Sequence, residues 1–264
     1  MSRSNNTNVV NPAVRFFDWS GAEGTLSYYD KEAKVKVNVK LPFTFIVLDT
    51  LSTIKGYSQA DEVGIYSNEI RSTNEDILHV KTFKGVTVAK GIYKEIKDTI
   101  VGQGGKFAQS CYIAFFDDNK VLQIGNITFT ASSLGGGENK KEGYEVGAWI
   151  GFTKANKANI MKGAIVMEKD ERVCVNGATK FFCPKFKIKE ISDETNKKAF
   201  DLDVELQGYL ETYLKSPKPS DEAEKTSSDI ETKSGDDMVN FEPKDKTKTE
   251  QPHIIGENED DLPF

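Results

Sequence analysis

Ala33-Lys34-Val35-Lys36-Val37-Asn38-Val39-Lys40-Leu41 is the most regular stretch of the chain, because apolar and polar side chains alternate throughout it. Successive side chains of a β-strand point to opposite faces, so this alternation indicates a strand. The valines and the leucine would lie on its buried face, and the lysines on its outer face. The stretch therefore predicts a half-buried strand of a β-sheet with a cationic surface.

A second stretch follows the same design, with Lys185, Lys187 and Lys189 alternating with Phe186 and Ile188. Lysines on an outer face have two explanations. They keep a strand edge from pairing with other chains, or they bind a polyanion. Alternate strand residues are about 6.6–6.8 Å apart, a spacing that suits successive phosphates of an extended nucleic-acid strand. The pattern alone leaves both explanations open.

The periodicity elsewhere predicts further strands and two helices. Strands are predicted at residues 43–57, 63–70, 77–83, 108–116, 120–130, 162–167, 172–175 and 179–191. Ile92, Ile96 and Ile100 recur at helical spacing and predict a short helix over 91–101, and an amphipathic pattern predicts a second helix over 196–214. The glycine-rich segment 132–147 is predicted to be a loop.

Three β segments, a helix and a β-hairpin follow one another between about residues 25 and 130. The hairpin is indicated by the turn residues Asp117-Asp118-Asn119. This is the element order of an OB-fold, a five-stranded Greek-key barrel. The predicted fold class is therefore mainly β: an OB-fold-like barrel with extra strands, one short helix and a C-terminal helix.

The net charge of -6 is unevenly distributed along the 264 residues. Residues 216–264 contain 6 Lys and 14 Asp or Glu, a net charge of -8, whereas residues 1–215 carry a net charge of +2. The acidic segment has few apolar residues, so burial cannot offset the entropy cost of folding it. We therefore predict a disordered leader over 1–13, a folded domain over 14–215 and a disordered acidic tail over 216–264.

The acidic segment ends in an apolar tip with two carboxylates beside it: Asp260, Asp261, Leu262, Pro263 and Phe264. This ending resembles the C-terminal tip of bacterial and phage single-stranded DNA-binding proteins. Two acids and a leucine stand where the bacterial form usually has three acids and an isoleucine, which favours a divergent phage-type member. The tip would bind partner proteins, with its acids on a basic rim and its phenylalanine in an apolar pocket.

The resemblance implies a protein that binds and protects single-stranded DNA, without sequence preference, in DNA replication, recombination and repair. Its tail would recruit replication or recombination proteins such as a polymerase or a helicase–primase. The cytoplasm of a bacterial host is the implied location. Two alternatives remain: a strand-annealing or recombination-mediator protein, and a scaffold protein that binds no DNA.

Candidate DNA contacts are the places where lysines and aromatic residues occur together, because lysines bind phosphates and aromatic rings stack on bases. They are Trp19, Lys34, Lys36, Lys40, Lys81, Phe83, Lys84, Lys106, Phe107, Trp149, Lys154, Lys157, Lys185 and Lys187. Each aromatic residue has core packing as its alternative, most evidently Phe83 and Trp149. Phe16 and Phe17 are predicted to anchor on the domain, with Trp19 partly exposed.

No catalytic, cofactor or metal motif accompanies these features. The three cysteines Cys111, Cys174 and Cys183 are widely spaced and odd in number, which predicts neither a disulfide framework nor a zinc site. Of the two histidines, His79 falls in a predicted strand and His253 in the tail. Gly135-Gly136-Gly137 lacks the lysine and hydroxyl residue of a phosphate-binding P-loop. We therefore predict no enzymatic activity, no cofactor, no membrane span and no signal peptide.

Overall fold

The computed structural model describes residues 10–215, which form thirteen strands and four helices. The strands are β1 Arg15–Ser20, β2 Thr25–Asp30, β3 Val35–Val39, β4 Phe43–Ser58, β5 Val63–Ser67, β6 Leu78–Thr82, β7 Thr87–Gly91, β8 Gly105–Phe116, β9 Leu122–Thr130, β10 Gly137–Asn139, β11 Tyr144–Val146, β12 Ala164–Asn176 and β13 Thr179–Lys189. The helices are α1 Tyr93–Gly102, α2 Ala131–Leu134, α3 Trp149–Ala155 and α4 Asp193–Lys215.

Eleven of the described strands form one large sheet, in the order β3-β2-β1-β9-β8-β4-β5-β6-β7, with β12 added to β4 and β13 added to β12. Its pairs are antiparallel except β1 with β9. Strand β4 is the centre of the sheet because its 16 residues pair on both edges. One edge pairs with β8 through residues 45–56, and the other pairs with β12 at 43–46 and with β5 at 55–58.

The prediction of a mainly β protein with a C-terminal helix is confirmed, but the described residues contain three short helices where one was predicted. The closed five-stranded barrel is wrong, because the sheet remains open. Strand β9 would have to pair with the third strand of such a barrel, but its edge pairs instead with β1. Strand β1 comes from the segment around Phe16 and Phe17, which was predicted only to anchor on the domain. The sheet therefore continues through β1 into β2 and β3.

The main core lies on one face of the sheet. It contains the rings of Phe17, Phe45, Phe115, Phe129 and Trp149, all buried. On the same face, a second cluster under α1 buries residues of β4, β5 and β6.

Helix α4 covers the opposite face, where its Leu206 and Leu210 pack on Leu51 of β4 and Tyr112 of β8. The Ser192 hydroxyl accepts a hydrogen bond from the Thr195 backbone N–H, so Ser192 caps this helix. None of the helices between residues 10 and 215 has the length and apolar character that crossing a membrane requires.

Segment 132–147 was predicted to be a loop, but it contains α2 and the hairpin of β10 and β11. The end of the predicted leader lies against the domain, where the Asn11 amide donates to the Tyr112 hydroxyl at 3.3 Å and Ala13 is buried. Residues 1–9 and the predicted tail 216–264, including its tip Asp260–Phe264, lie outside the described residues.

Candidate functional site

Four side chains form a row across four adjacent strands. Lys106 of β8 is opposite Lys55 of β4, Lys55 is opposite Tyr66 of β5, and Tyr66 is opposite Lys81 of β6. Residues directly opposite each other in antiparallel strands point to the same face. With strands about 4.8 Å apart, the row extends for about 14 Å. Three cations and one aromatic ring are therefore aligned on one surface.

Phe83 adds a second ring to this surface. Its centroid is 5.4 Å from that of Tyr66, and the two planes differ by 37°. Gly64 makes this position possible, because a Cβ there would lie 2.3 Å from the Phe83 ring. Phe83 remains 41% exposed, and Tyr57 lies opposite Gly64 in the next row. We call Lys55, Tyr57, Tyr66, Lys81, Phe83 and Lys106 the cationic–aromatic face.

The reverse side of these strands keeps the face in place. Ile54, Ile65 and Val80 alternate with the face residues along β4, β5 and β6, and they are buried under α1 with Ile100. The backbone that carries Lys55, Tyr66 and Lys81 is thus part of a packed layer. The side chains of Lys55, Tyr66 and Lys81 therefore project from a packed layer.

Lys55 and Lys84 at this surface bind other groups of the protein. Lys55 forms an ion pair with Asp18 of β1, and both side chains are about half exposed. An exposed pair of this kind contributes at most about 1 kcal/mol. The Lys84 ammonium donates to the Asp61 backbone carbonyl at 3.3 Å. An incoming polyanion can therefore compete for Lys55 at modest cost.

The end of α4 lies beside the cationic–aromatic face. The Tyr213 hydroxyl accepts a hydrogen bond from the Glu69 backbone N–H at 3.1 Å, and Glu69 is three residues beyond Tyr66. The Glu69 carboxylate in turn accepts from the Tyr112 hydroxyl at 2.8 Å. The described chain ends two residues after Tyr213, at Lys215.

The other predicted lysines lie on separate surfaces. Lys34, Lys36 and Lys40 are exposed in and around β3, at the opposite end of the sheet from β6. On β13, the ammonium groups of Lys185 and Lys187 are 3.5 Å and 3.2 Å from a Glu168 oxygen.

Lys154 belongs to α3, and Lys157 follows that helix. The fourteen predicted positions are therefore not one surface. The cationic–aromatic face contains Lys81, Phe83 and Lys106 of them, with Lys84 at its margin.

One predicted aromatic contact, Trp149, is corrected, and two others, Phe107 and Trp19, are partly buried. Trp149 is 1% exposed and stacks on Phe129 with 4.4 Å between the ring centroids. Its ring is therefore covered and has no exposed surface on which a base could stack. Phe107 packs between the two core clusters and contacts Tyr93 at 5.2 Å. Trp19 is half-buried, as predicted, but its indole N–H donates to the Phe182 carbonyl at 3.1 Å.

Sequence reasoning missed Lys55, Tyr57 and Tyr66 as site residues. The segment Thr53-Ile54-Lys55-Gly56-Tyr57 alternates polar and apolar residues, and this pattern was the available signal. The segment was instead assigned to the strand predicted at residues 43–57, which was expected to lie in the core. The missing information was the strand register, which places Lys55 between residues that are 11 and 51 positions away in the chain.

The described residues include no group of three or more His, Cys, Asp or Glu that could hold a metal ion. The Cys174 and Cys183 sulfur atoms are 3.7 Å apart in the core. Burial raises the pKa of the Cys174 thiol and, by more, that of the Cys183 thiol, so both stay protonated at neutral pH. Protonated thiols are poor metal ligands.

A scan against protein-family models found no match for this chain, and neither did searches of the curated proteins and of the solved structures.

Proposed function

We propose that this protein binds single-stranded DNA without sequence preference, through the cationic–aromatic face. The observation that carries the proposal is the row Lys106–Lys55–Tyr66–Lys81 with Phe83 beside it. In this mechanism the lysines neutralise successive phosphates and release counterions, while Tyr66 and Phe83 stack on unpaired bases. Every base has a stacking surface, so the mode tolerates any sequence. The protein acts as a binding protein, with no reaction of its own.

The strand order supports an OB-like origin for this part of the sheet. Strands β9-β8-β4-β5-β6 are neighbours in the order 5-4-1-2-3 of an OB-fold, with α1 between the third and fourth of them. OB-folds bind oligonucleotides on the face of strands 2 and 3. The corresponding strands here are β5 and β6, which carry Tyr66, Lys81 and Phe83. We propose an OB-like unit opened between its third and fifth strands.

The cellular role proposed here is protection of exposed DNA in replication, recombination and repair. The tip Asp260–Phe264, by its resemblance to the tips of known single-stranded DNA-binding proteins, would recruit a polymerase, a helicase–primase or a recombination protein. The bacterial cytoplasm, including that of a phage-infected host, is the proposed location.

Titration of the full chain with fluorescent oligo-dT tests the proposal. We expect saturable binding that weakens linearly in log–log form with salt, with a slope of about -0.7 for each phosphate neutralised. As competitors, poly-dA and poly-dT should bind the protein with affinities within about tenfold of each other, because stacking tolerates any base. An absence of salt-sensitive binding at micromolar protein would instead support the scaffold alternative. Fast pairing of complementary strands by the bound protein would support the annealing alternative.

Deletion of residues 216–264 should tighten oligo-dT binding at low salt. That segment carries a net charge of -8, and it follows helix α4, whose Tyr213 accepts a hydrogen bond from Glu69 beside the cationic–aromatic face. Its carboxylates would compete with phosphates for the same lysines. The gain should shrink as salt rises, because salt screens the intramolecular attraction. The measurement is oligo-dT affinity at two salt concentrations, and unchanged or weaker binding by the deletion variant would refute tail competition.

A further inference from the structure

Helix α4 has apolar side chains on the side that faces away from the sheet. Ala199, Leu206 and Leu210 are buried against the domain, whereas Phe200 is 65% and Val204 is 58% exposed. A helix turns about 100° per residue, so Val204 points away from Leu206 and Ala199. Two large apolar side chains are therefore presented to the solvent one turn apart.

Gly208 continues this outward line, one turn beyond Val204. A Cβ at Gly208 would have no atom within 4 Å, so the monomer gives no steric reason for a glycine. Glycine is less favourable than alanine inside a helix. A glycine does allow a large side chain of a second helix to approach the backbone closely. A helix packing on the outside of α4 would account for a glycine at this position.

The outward line is symmetric in sequence about Val204. Phe200 and Gly208 lie four residues to either side, and Lys197 and Glu211 lie seven residues to either side. Asp193 and Lys215, the terminal residues of α4, lie eleven residues to either side. All of these residues are exposed. Each symmetric pair combines a large with a small residue, or a cation with an anion.

We propose that α4 pairs antiparallel with α4 of a second copy of this chain, about a two-fold axis at Val204. In this arrangement Val204 meets its own counterpart, and Phe200 of each copy packs over Gly208 of the other. Lys197 of each copy meets Glu211 of the other, and Asp193 meets Lys215. The same residue patch on both copies makes an isologous interface, which is the type found in two-fold dimers.

The charges at the two ends of α4 favour this orientation, whereas the exposed Asp201 and Glu205 near its middle add negative charge to the interface in either orientation. A parallel pair would place Lys197 against Lys197 and Glu211 against Glu211, whereas the antiparallel pair opposes unlike charges at both ends. A different protein would have to present the same arrangement of apolar and charged residues, whereas a second copy of this chain already has it. Within one helix the Lys215 ammonium is 3.8 Å from Glu211, so in the dimer these charges would be shared.

The interface is small. A helix of 23 residues is about 35 Å long, and one helix pair buries less surface than a permanent dimer requires. The dimer should therefore dissociate on dilution. Helix α4 lies on the face of the sheet that also carries Lys55 and Tyr66. Dimerisation through α4 would therefore turn the cationic–aromatic faces of the two copies toward each other.

Sedimentation equilibrium of the full chain without DNA tests this proposal. The wild-type mass should rise with concentration from that of a monomer toward that of a dimer. Val204→Glu should weaken association at least tenfold. Lys197→Glu and Glu211→Lys should each weaken it, and their combination should restore it because the opposite charges are exchanged. Lys198→Glu, an exposed change off the outward line, is the matched control.

Disulfide cross-linking between the two copies tests whether the two-fold axis lies at Val204. Val204→Cys should form a disulfide between copies on mild oxidation, whereas Glu194→Cys, exposed but off the line, should not. The native cysteines are buried and should stay unreacted. A mass that stays monomeric at every concentration, a dimer that survives Val204→Glu, or a charge exchange that fails to restore association would each overturn the proposal. All of these results are independent of oligo-dT binding, so they leave the proposed function to its own titration.

Discussion

Replacing Tyr66 and Phe83 together with leucine should weaken oligo-dT binding by about a hundredfold. Stacking of one base on an aromatic ring is worth about 1–3 kcal/mol, and both rings would be lost. Leucine keeps most of the apolar contact between these positions and Gly64, so the free energy of unfolding should change little. The measurement is oligo-dT affinity at fixed salt, together with a urea unfolding curve for each variant.

The lysines of the same row should control the salt dependence. Lys81→Gln with Lys106→Gln removes two proposed phosphate contacts, so the log–log salt slope should fall by about 1.4. The aromatic variant should leave that slope nearly unchanged, since stacking releases no counterions. This difference separates the two contributions within one face.

A matched control is available on β13. Lys185→Gln with Lys187→Gln removes the same charge from a different surface, where both lysines are already paired with Glu168. We expect less than a threefold loss of oligo-dT affinity. If this variant loses more affinity than the Lys81 and Lys106 variant, the DNA lies along β13 and our assignment of the face is wrong.

Replacing Trp149 with alanine should destabilise the protein by about 3–5 kcal/mol, the range for large aromatic residues in cores. The ring is 1% exposed and stacks on the ring of Phe129, and its centroid is 5.2 Å from that of the Phe186 ring. The free energy of unfolding of a domain is about 5–15 kcal/mol, so this substitution would remove much of it. The denaturation midpoint in urea, followed by circular dichroism, measures the effect.

Trp149→Phe should be much milder. The indole N–H of Trp149 is buried and has no hydrogen-bond partner among the described residues, so phenylalanine removes an unsatisfied donor as well as ring volume. Its oligo-dT affinity should equal that of the wild type. The chain has two tryptophans, so the difference spectrum between wild type and this variant reports on Trp149. Quenching of that signal by direct contact with oligo-dT would contradict a purely structural role.

The strands and helices could be predicted because their signals are local. The alternation in 33–41 produced β3, and the spacing of Ala199, Leu206 and Leu210 produced α4. The predicted hairpin turn at 117–119 joins β8 and β9. Segment 132–147 was missed because β10 and β11 have only three residues each, too few for a periodicity to show.

The candidate site was predictable in its residue types and only partly in its members. Lys81, Phe83 and Lys106 were identified from neighbouring lysines and aromatics, but so was Trp149. An aromatic residue beside lysines has the same appearance in sequence whether its ring is stacked in the core or exposed. The distinction depends on what covers the ring, and for Trp149 this is Phe129 from a strand about twenty residues away.

By itself, the sequence determined the mainly β character, the terminal helix and the division into a slightly basic domain and an acidic segment. These follow from nearest-neighbour patterns and charge counts. Only the tertiary structure decided that the sheet stays open and that Lys55, Tyr66, Lys81 and Lys106 share one face. The reason is that pairing partners and register depend on contacts between distant segments, and a one-residue shift in register would turn each of these side chains to the opposite face.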